Sequence, residues 1–127
     1  MADAQRGKVR ILVVDDDESI RELVKMYLTN AGYEVLAAED AVVAGYIVLN
    51  CAPDLIIADV NMPYMNGYEF VSALKADSAT RNIPVVFLTT SDDVAERARQ
   101  LGAAAYLTKP VSAARLLEVV GLFAAQQ

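Results

Sequence analysis

Histidine is absent from all 127 positions. That excludes histidine metal sites, Ser-His and Cys-His nucleophile pairs, and any phosphohistidine formed within the chain. Cys51 is the single cysteine, so no internal disulfide can form. This fits a reducing cytoplasm, and the residue reads as a small hydrophobe near a helix end. Hydrophobic residues make up 55% of the chain, yet no run approaches the ~18 apolar residues of a membrane span. Met1 to Lys8 is polar and lacks the apolar segment of a signal peptide; it reads as a frayed lead-in. Positive charge is in deficit, with a formal net charge of −6. Direct nucleic-acid binding is therefore not expected, and neither is a membrane; an acidic domain suits basic partner surfaces or a bound cation.

The apolar residues that are present fall into short runs. Val9–Val14 reads as a strand that ends abruptly in Asp15-Asp16-Asp17-Glu18. Ile20, Leu23, Val24, Tyr27 and Leu28 then repeat at helical spacing, and Gly32 is placed to end that helix in a left-handed conformation. Tyr33–Ala38 is a second strand. Asp40 can cap a second helix running to about Asn50. Leu55–Ala58 contains no polar residue, as expected of a strand covered on both faces. Pro63 ends that segment, Gly67 suits a sharp turn, and a helix follows with Phe70, Val71 and Leu74 on one side. Val85–Leu88 is a fourth strand, Asp92–Leu101 a fourth helix ended by Gly102, and Ala105–Leu107 a fifth strand. Ser112 can cap a last helix whose Leu116, Val119, Val120 and Phe123 face inward. Five strand–helix alternations predict one α/β domain with a doubly wound parallel sheet, because right-handed crossovers need a covering element. The pattern leaves strand order open.

In such a fold every strand ends on the same edge, where ligands bind. The residues at those ends are Asp15 and Asp16, then Asp59, then Thr89, then Lys109. Each has a bland explanation alone: a loop cap, a charge favoured at a helix N-terminus, a strand end, a surface lysine. Jointly they make a phosphoryl site. Carboxylates at close quarters raise one another's pKa unless a cation offsets them. Hard oxygen donors suit Mg²⁺, with Mn²⁺ as an alternative. In this arrangement Asp15 and Asp16 hold the metal, Asp59 is the nucleophile, and Thr89 and Lys109 bond the arriving oxygens.

The ordered motifs Ile11-Leu12-Val13-Val14-Asp15-Asp16, Pro53-Asp54-Leu55-Ile56-Ile57-Ala58-Asp59, Asn61-Met62-Pro63 with Gly67, Leu88-Thr89-Thr90 and Tyr106-Leu107-Thr108-Lys109-Pro110 resemble those of a response-regulator receiver domain. The resemblance spans about Lys8 to Ala124 and implies a flavodoxin-like sheet of order 2-1-3-4-5. It implies that Asp59 accepts a phosphoryl group from a histidine kinase or histidine phosphotransfer protein. It further implies a metal held by Asp16, Asp59 and the Asn61 carbonyl, with Asp15 acting through water. Lys109 and Thr89 would bind phosphoryl oxygens, Thr89 and Tyr106 would shift together as a switch, and the Lys109–Pro110 bond would be cis. Such a protein is a switch rather than an enzyme, although it promotes its own phosphorylation and dephosphorylation. Asn66 stands where the family often has Asp, a change of small expected consequence.

Two other functions compete. A Mg²⁺-dependent phosphohydrolase with an aspartyl nucleophile would use Asp15-Asp16-Asp17, but the chain has no cap domain to close over a substrate. A degenerate receiver that only binds partners conflicts with the complete set of site residues. The chain is expected to be a single domain over 1–127, with no output domain, acting on a downstream protein target or on an output domain elsewhere. The second helix departs from the family by lacking outward charge. Val42, Val43, Tyr46 and Leu49 form an outward apolar stripe on it, which predicts an interface with a second copy or another domain.

Overall fold

A computed structural model describes residues 7–90 and 93–124. Among them, β1 (Arg10–Val14), β2 (Glu34–Ala38), β3 (Leu55–Asp59), β4 (Val85–Thr89) and β5 (Ala105–Thr108) alternate with α1 (Glu18–Asn30), α2 (Ala41–Cys51), α3 (Gly67–Ala76), α4 (Val94–Leu101) and α5 (Ala113–Ala124). The strands form one parallel sheet in the order β2-β1-β3-β4-β5. This is the α/β architecture that the alternating pattern predicts. The start of the fourth helix at Asp92, and the first six residues of the lead-in, lie outside the described residues.

Strand alternation divides the interior. Leu12, Val14, Ile56, Ala58, Val85 and Phe87 face α2, α3 and α4. Ile11, Val13, Leu55, Ile57, Val86 and Leu88 face α1 and α5. A residue that follows its neighbour in a strand points to the opposite face, so the unbroken apolar runs of β1, β3 and β4 supply both layers. All five residues of β3 are buried, including Asp59.

Local chemistry sets the helix ends. Asp17 caps α1 by accepting from the N–H groups of Ser19 and Ile20. Asp40 caps α2 by accepting from Val43 N at 2.9 Å. Asn66 caps α3 in a reciprocal box: its side chain accepts from Glu69 N, and Glu69 accepts from Asn66 N. Asp would cap equally well there, so the Asn departure is structurally neutral. At the end of α1, Gly32 adopts φ 98°, while Tyr33 N donates to Leu28 O. This closes the helix with the left-handed turn expected of glycine.

Candidate functional site

β1 and β3 are neighbours in the sheet, so Asp15 and Asp59 emerge side by side at their ends. The four acidic residues after β1 then diverge. Asp15 is fully buried, and its Oδ1 accepts from Asp17 N at 2.9 Å. Asp16 is exposed. Asp17 serves α1 as its cap. Carboxylate oxygens of Asp15, Asp16 and Asp59 lie within 4.8 Å of one another. Asn61, next along the loop, donates its N–H to Asp59 Oδ1 at 3.4 Å.

Lys109 reaches this cluster from the end of β5. Its Nζ lies 2.9 Å from Asp15 Oδ2 and 3.5 Å from Asp59 Oδ1. The backbone brings it there: Lys109 N donates to Thr89 O, and the Lys109–Pro110 bond is cis, as the resemblance implies. Thr89 is 3% exposed at the end of β4. Phe87 pairs with Tyr106 and Thr89 with Thr108 across β4 and β5. Residues two apart share a face of a strand, so Thr89 and Tyr106 lie on the same side of the sheet. Tyr106 packs, partly buried, against the core under α2, α3 and α4.

The electrostatics are unequal. Asp59 is raised from 3.8 to about 6 by burial first and by the charge of Asp15 second; Lys109 and the Asn61 N–H pull it down. Burial alone would lower Lys109, but its close ion pairing with Asp15 and the charge of Asp59 together outweigh that and raise it. The mutual repulsion expected of the acid cluster therefore falls on Asp59 from Asp15, not from the solvated Asp16. Asp15 Oδ2 receives no well-aligned hydrogen bond, although the Lys109 ammonium stands close by. A buried carboxylate oxygen with spare acceptor capacity, beside two more hard oxygen donors, fits a divalent cation of the Mg²⁺ type.

Two supports were not legible in the sequence. Arg21 donates from α1 to the Asp15 carbonyl at 2.7 Å, fixing the turn after β1. Its only sequence signal is a cation in the first turns of a helix, where the dipole disfavours one. Gly67 was expected to make a sharp turn. Instead it is the first residue of α3, and its N–H donates to Val60 O at 2.7 Å. A Cβ there would sit 2.5 Å from the Asp59 carbonyl oxygen and 2.9 Å from Val60 Cα. The requirement is close approach of helix to strand end. Gly67→Ala should therefore displace the loop that carries Asp59 and destabilise the protein by roughly 1–3 kcal/mol, the usual cost of overpacking. Urea unfolding measures this; a cost below half a kcal/mol would show that the loop yields freely.

The response regulator receiver domain family matches residues 11–121. The chain belongs to that family. As a receiver it is 41% identical over 111 residues to the response regulator MprA of Mycobacterium sp. (strain KMS), covering 86% of this chain and 47% of that protein. It is 42% identical over 110 residues to the phosphate regulon transcriptional regulatory protein PhoB of Escherichia coli (strain K12), covering 85% and 48%. The receiver thus spans about half the length of the curated relatives it matches. Among solved structures it resembles the chemotaxis response regulator CheY4 of Vibrio cholerae, with a TM-score of 0.86, 36% identity, and coverage of 91% of this chain and 98% of that one. It also resembles a response regulator receiver domain protein from Clostridium thermocellum, with a TM-score of 0.85, 30% identity, and coverage of 93% and 95%. Receivers are signalling switches rather than classical enzymes.

Proposed function

We propose that this receiver is switched by transfer of a phosphoryl group onto Asp59. The observation that carries the reading is the meeting of the buried Asp59 carboxylate with two more carboxylates and an ammonium at the ends of three strands. An Asp59 oxygen attacks the phosphorus of a phosphohistidine on a histidine kinase or histidine phosphotransfer protein. The P–N bond breaks, and the imidazole leaves with its electron pair. Asp59 must be ionised to attack, which in the metal-free protein requires a pH above about 6. Asp15, Asp16, Asp59 and the Asn61 carbonyl would hold Mg²⁺, or Mn²⁺ in its place, whose charge offsets that of the phosphoryl oxygens when bound.

Lys109 leaves its ion pair with Asp15 to bond a phosphoryl oxygen, and Thr89 turns its hydroxyl to another. Each contact exists only in the phosphorylated state, so each supplies the differential interaction that a population shift requires. Movement of Thr89 frees room on the side of the sheet it shares with Tyr106, and the ring turns inward. The altered surface is read by a downstream protein or an output domain. Water attack on the acyl phosphate, aided by the same residues, resets the switch. We assign the reaction to a cytoplasmic setting, where such kinases have their phosphate source. Among the described residues, no helix is long and apolar enough to cross a membrane.

Acetyl phosphate with Mg²⁺ tests the acceptor directly. Mass spectrometry of the intact protein should show a single phosphoryl addition in the parent, and none in Asp59→Asn with its fold retained. Equal labelling of the two proteins would refute the assignment.

A further inference from the structure

The outward side of α2 carries no charge. From Ala41 to Cys51 there is no Asp, Glu, Lys or Arg, in a chain whose net charge is −6. Ala41, Ala44 and Val48 are buried against the sheet. Val42, Tyr46 and Leu49 are 68%, 72% and 74% exposed, with Val43 beside them. Their exposed area is roughly 500 Å², within the range at which apolar patches mark contact sites. Next to this stripe, between α2 and α3, lies a hollow of about 230 Å³ lined by Ala41, Gly45, Leu49, Met65, Phe70 and Ala73, among others. A Cβ at Gly45 would meet nothing within 4 Å. Glycine inside a helix weakens it relative to alanine, and among the described residues no close contact requires it at this position.

We propose that α2 is the contact helix of a homodimer, in which Tyr46 of each copy enters the hollow beside Gly45 of the other. Helical geometry makes the face self-complementary. Successive residues turn by about 100°, which places Gly45 and Tyr46 about 50° to either side of the line through Val42 and Leu49 and only ~1.5 Å apart in height. A two-fold axis running along that line, parallel to α2, sends each point to the mirror side at the same height. Every Tyr46 then meets a Gly45 hollow, and Val42 meets its own copy across the axis. This is an isologous contact, the commonest kind between identical subunits.

The occupant follows from charge and area. Two chains of the same negative charge approach most readily where neither carries charge, whereas this face offers a basic or acidic partner nothing to pair with. Two copies would together bury about 1,000 Å², the lower bound for a specific interface, so the dimer is expected to be weak and concentration-dependent.

Sedimentation of the whole chain, from low to several hundred micromolar, tests this. The parent should shift from monomer to dimer. Tyr46→Glu and Gly45→Leu should each weaken association roughly tenfold or more, as expected for a central aromatic and its pocket. Both variants should retain acetyl phosphate labelling, and the melting temperature of Gly45→Leu should not fall, since its side chain enters open space. In a Cys51→Ser background, Val42→Cys should form a disulfide-linked dimer on mild oxidation much faster than Glu22→Cys on α1. A parent that stays monomeric at every concentration overturns the proposal. So does a dimer that survives both substitutions, or one in which Val42→Cys shows no preference; either would place the contact elsewhere.

Discussion

Asp59→Asn is expected to make the metal-free protein more stable at neutral pH. Asn keeps the shape of the side chain and removes a charge that the fold opposes. The Asp59 carboxyl is raised from 3.8 to about 6, by burial and then by Asp15. A raised acid pKa means that the folded state holds the proton more tightly than the unfolded state. Below pH 3.8 both states are protonated and there is no penalty. Between 3.8 and 6 the penalty grows, and above 6 it is complete. Two pH units correspond to about 3 kcal/mol with the attraction of Lys109 already included, and solvent screening at the strand edge makes this the ceiling of the gain. Unfolding by urea in EDTA should show a gain of about 2–3 kcal/mol at pH 7.5 that shrinks towards zero at pH 4. Millimolar Mg²⁺ should stabilise the parent and narrow the difference, since a cation bound only by the folded state stabilises by mass action. A variant no more stable than the parent at pH 7.5 would mean that Asp59 is not strained.

Lys109→Met should have the opposite effect. Asp15 is completely buried, and the Lys109 ammonium is 2.9 Å from its Oδ2. Removing one partner of a buried pair leaves the other charge uncompensated, at a cost of about 3–5 kcal/mol. The pKa of Lys109 is raised above its ordinary 10.5, so its contribution is fully present below pH 10.5 and is lost only as pH rises through the higher folded value. Neutral buffers therefore measure the pair at full strength. The sharper measurement is a double-mutant cycle. Without the ammonium, Asp59 has less to offset Asp15, so Asp59→Asn should stabilise the Lys109→Met protein by more than it stabilises the parent. Contacting charges commonly couple by about 0.5–3 kcal/mol. Strict additivity, or a cost of Lys109→Met below about 1 kcal/mol, would remove the ammonium from the site's electrostatics.

The order of elements was legible because each apolar run is short and bounded by a turn residue or a cap. Strand order came from the receiver motifs, since periodicity carries no information about which strands are neighbours. The residues of the strand-end cluster could be named because a parallel sheet gathers all its C-termini on one edge. What could not be read was their depth. Asp15, Asp16 and Asp17 are identical in chemistry and consecutive, yet one is buried, one is solvated and one caps a helix. Only the angle at which the chain leaves β1 sorts them. Gly67 was read as suiting a turn, not as a close approach; a distance of 2.5 Å between atoms from different elements has no local signature. The outward stripe on α2 was visible from helical spacing, because a helix docked on one sheet has only one side to bury. The hollow beside it depends on α3 and was not.

The two-sided packing of the sheet has a consequence for how a disturbance spreads. Side chains of β1, β3 and β4 alternate strictly, so the interior consists of two compartments separated by a wall one strand thick. Thr89, Phe87 and Tyr106 belong to the compartment that also holds α2, α3 and α4. So does Tyr68, whose ring meets Phe87 edge-on and lies beneath the Arg97 guanidinium of α4. Among the described residues, the core cluster of α1 and α5 has no residue in common with it. Rearrangement around Thr89 can be relayed outward through contacts to α4 and α2 while the opposite half keeps its packing. In the proposed switch, the face carrying α2, α3 and α4 would change shape against the other as its frame.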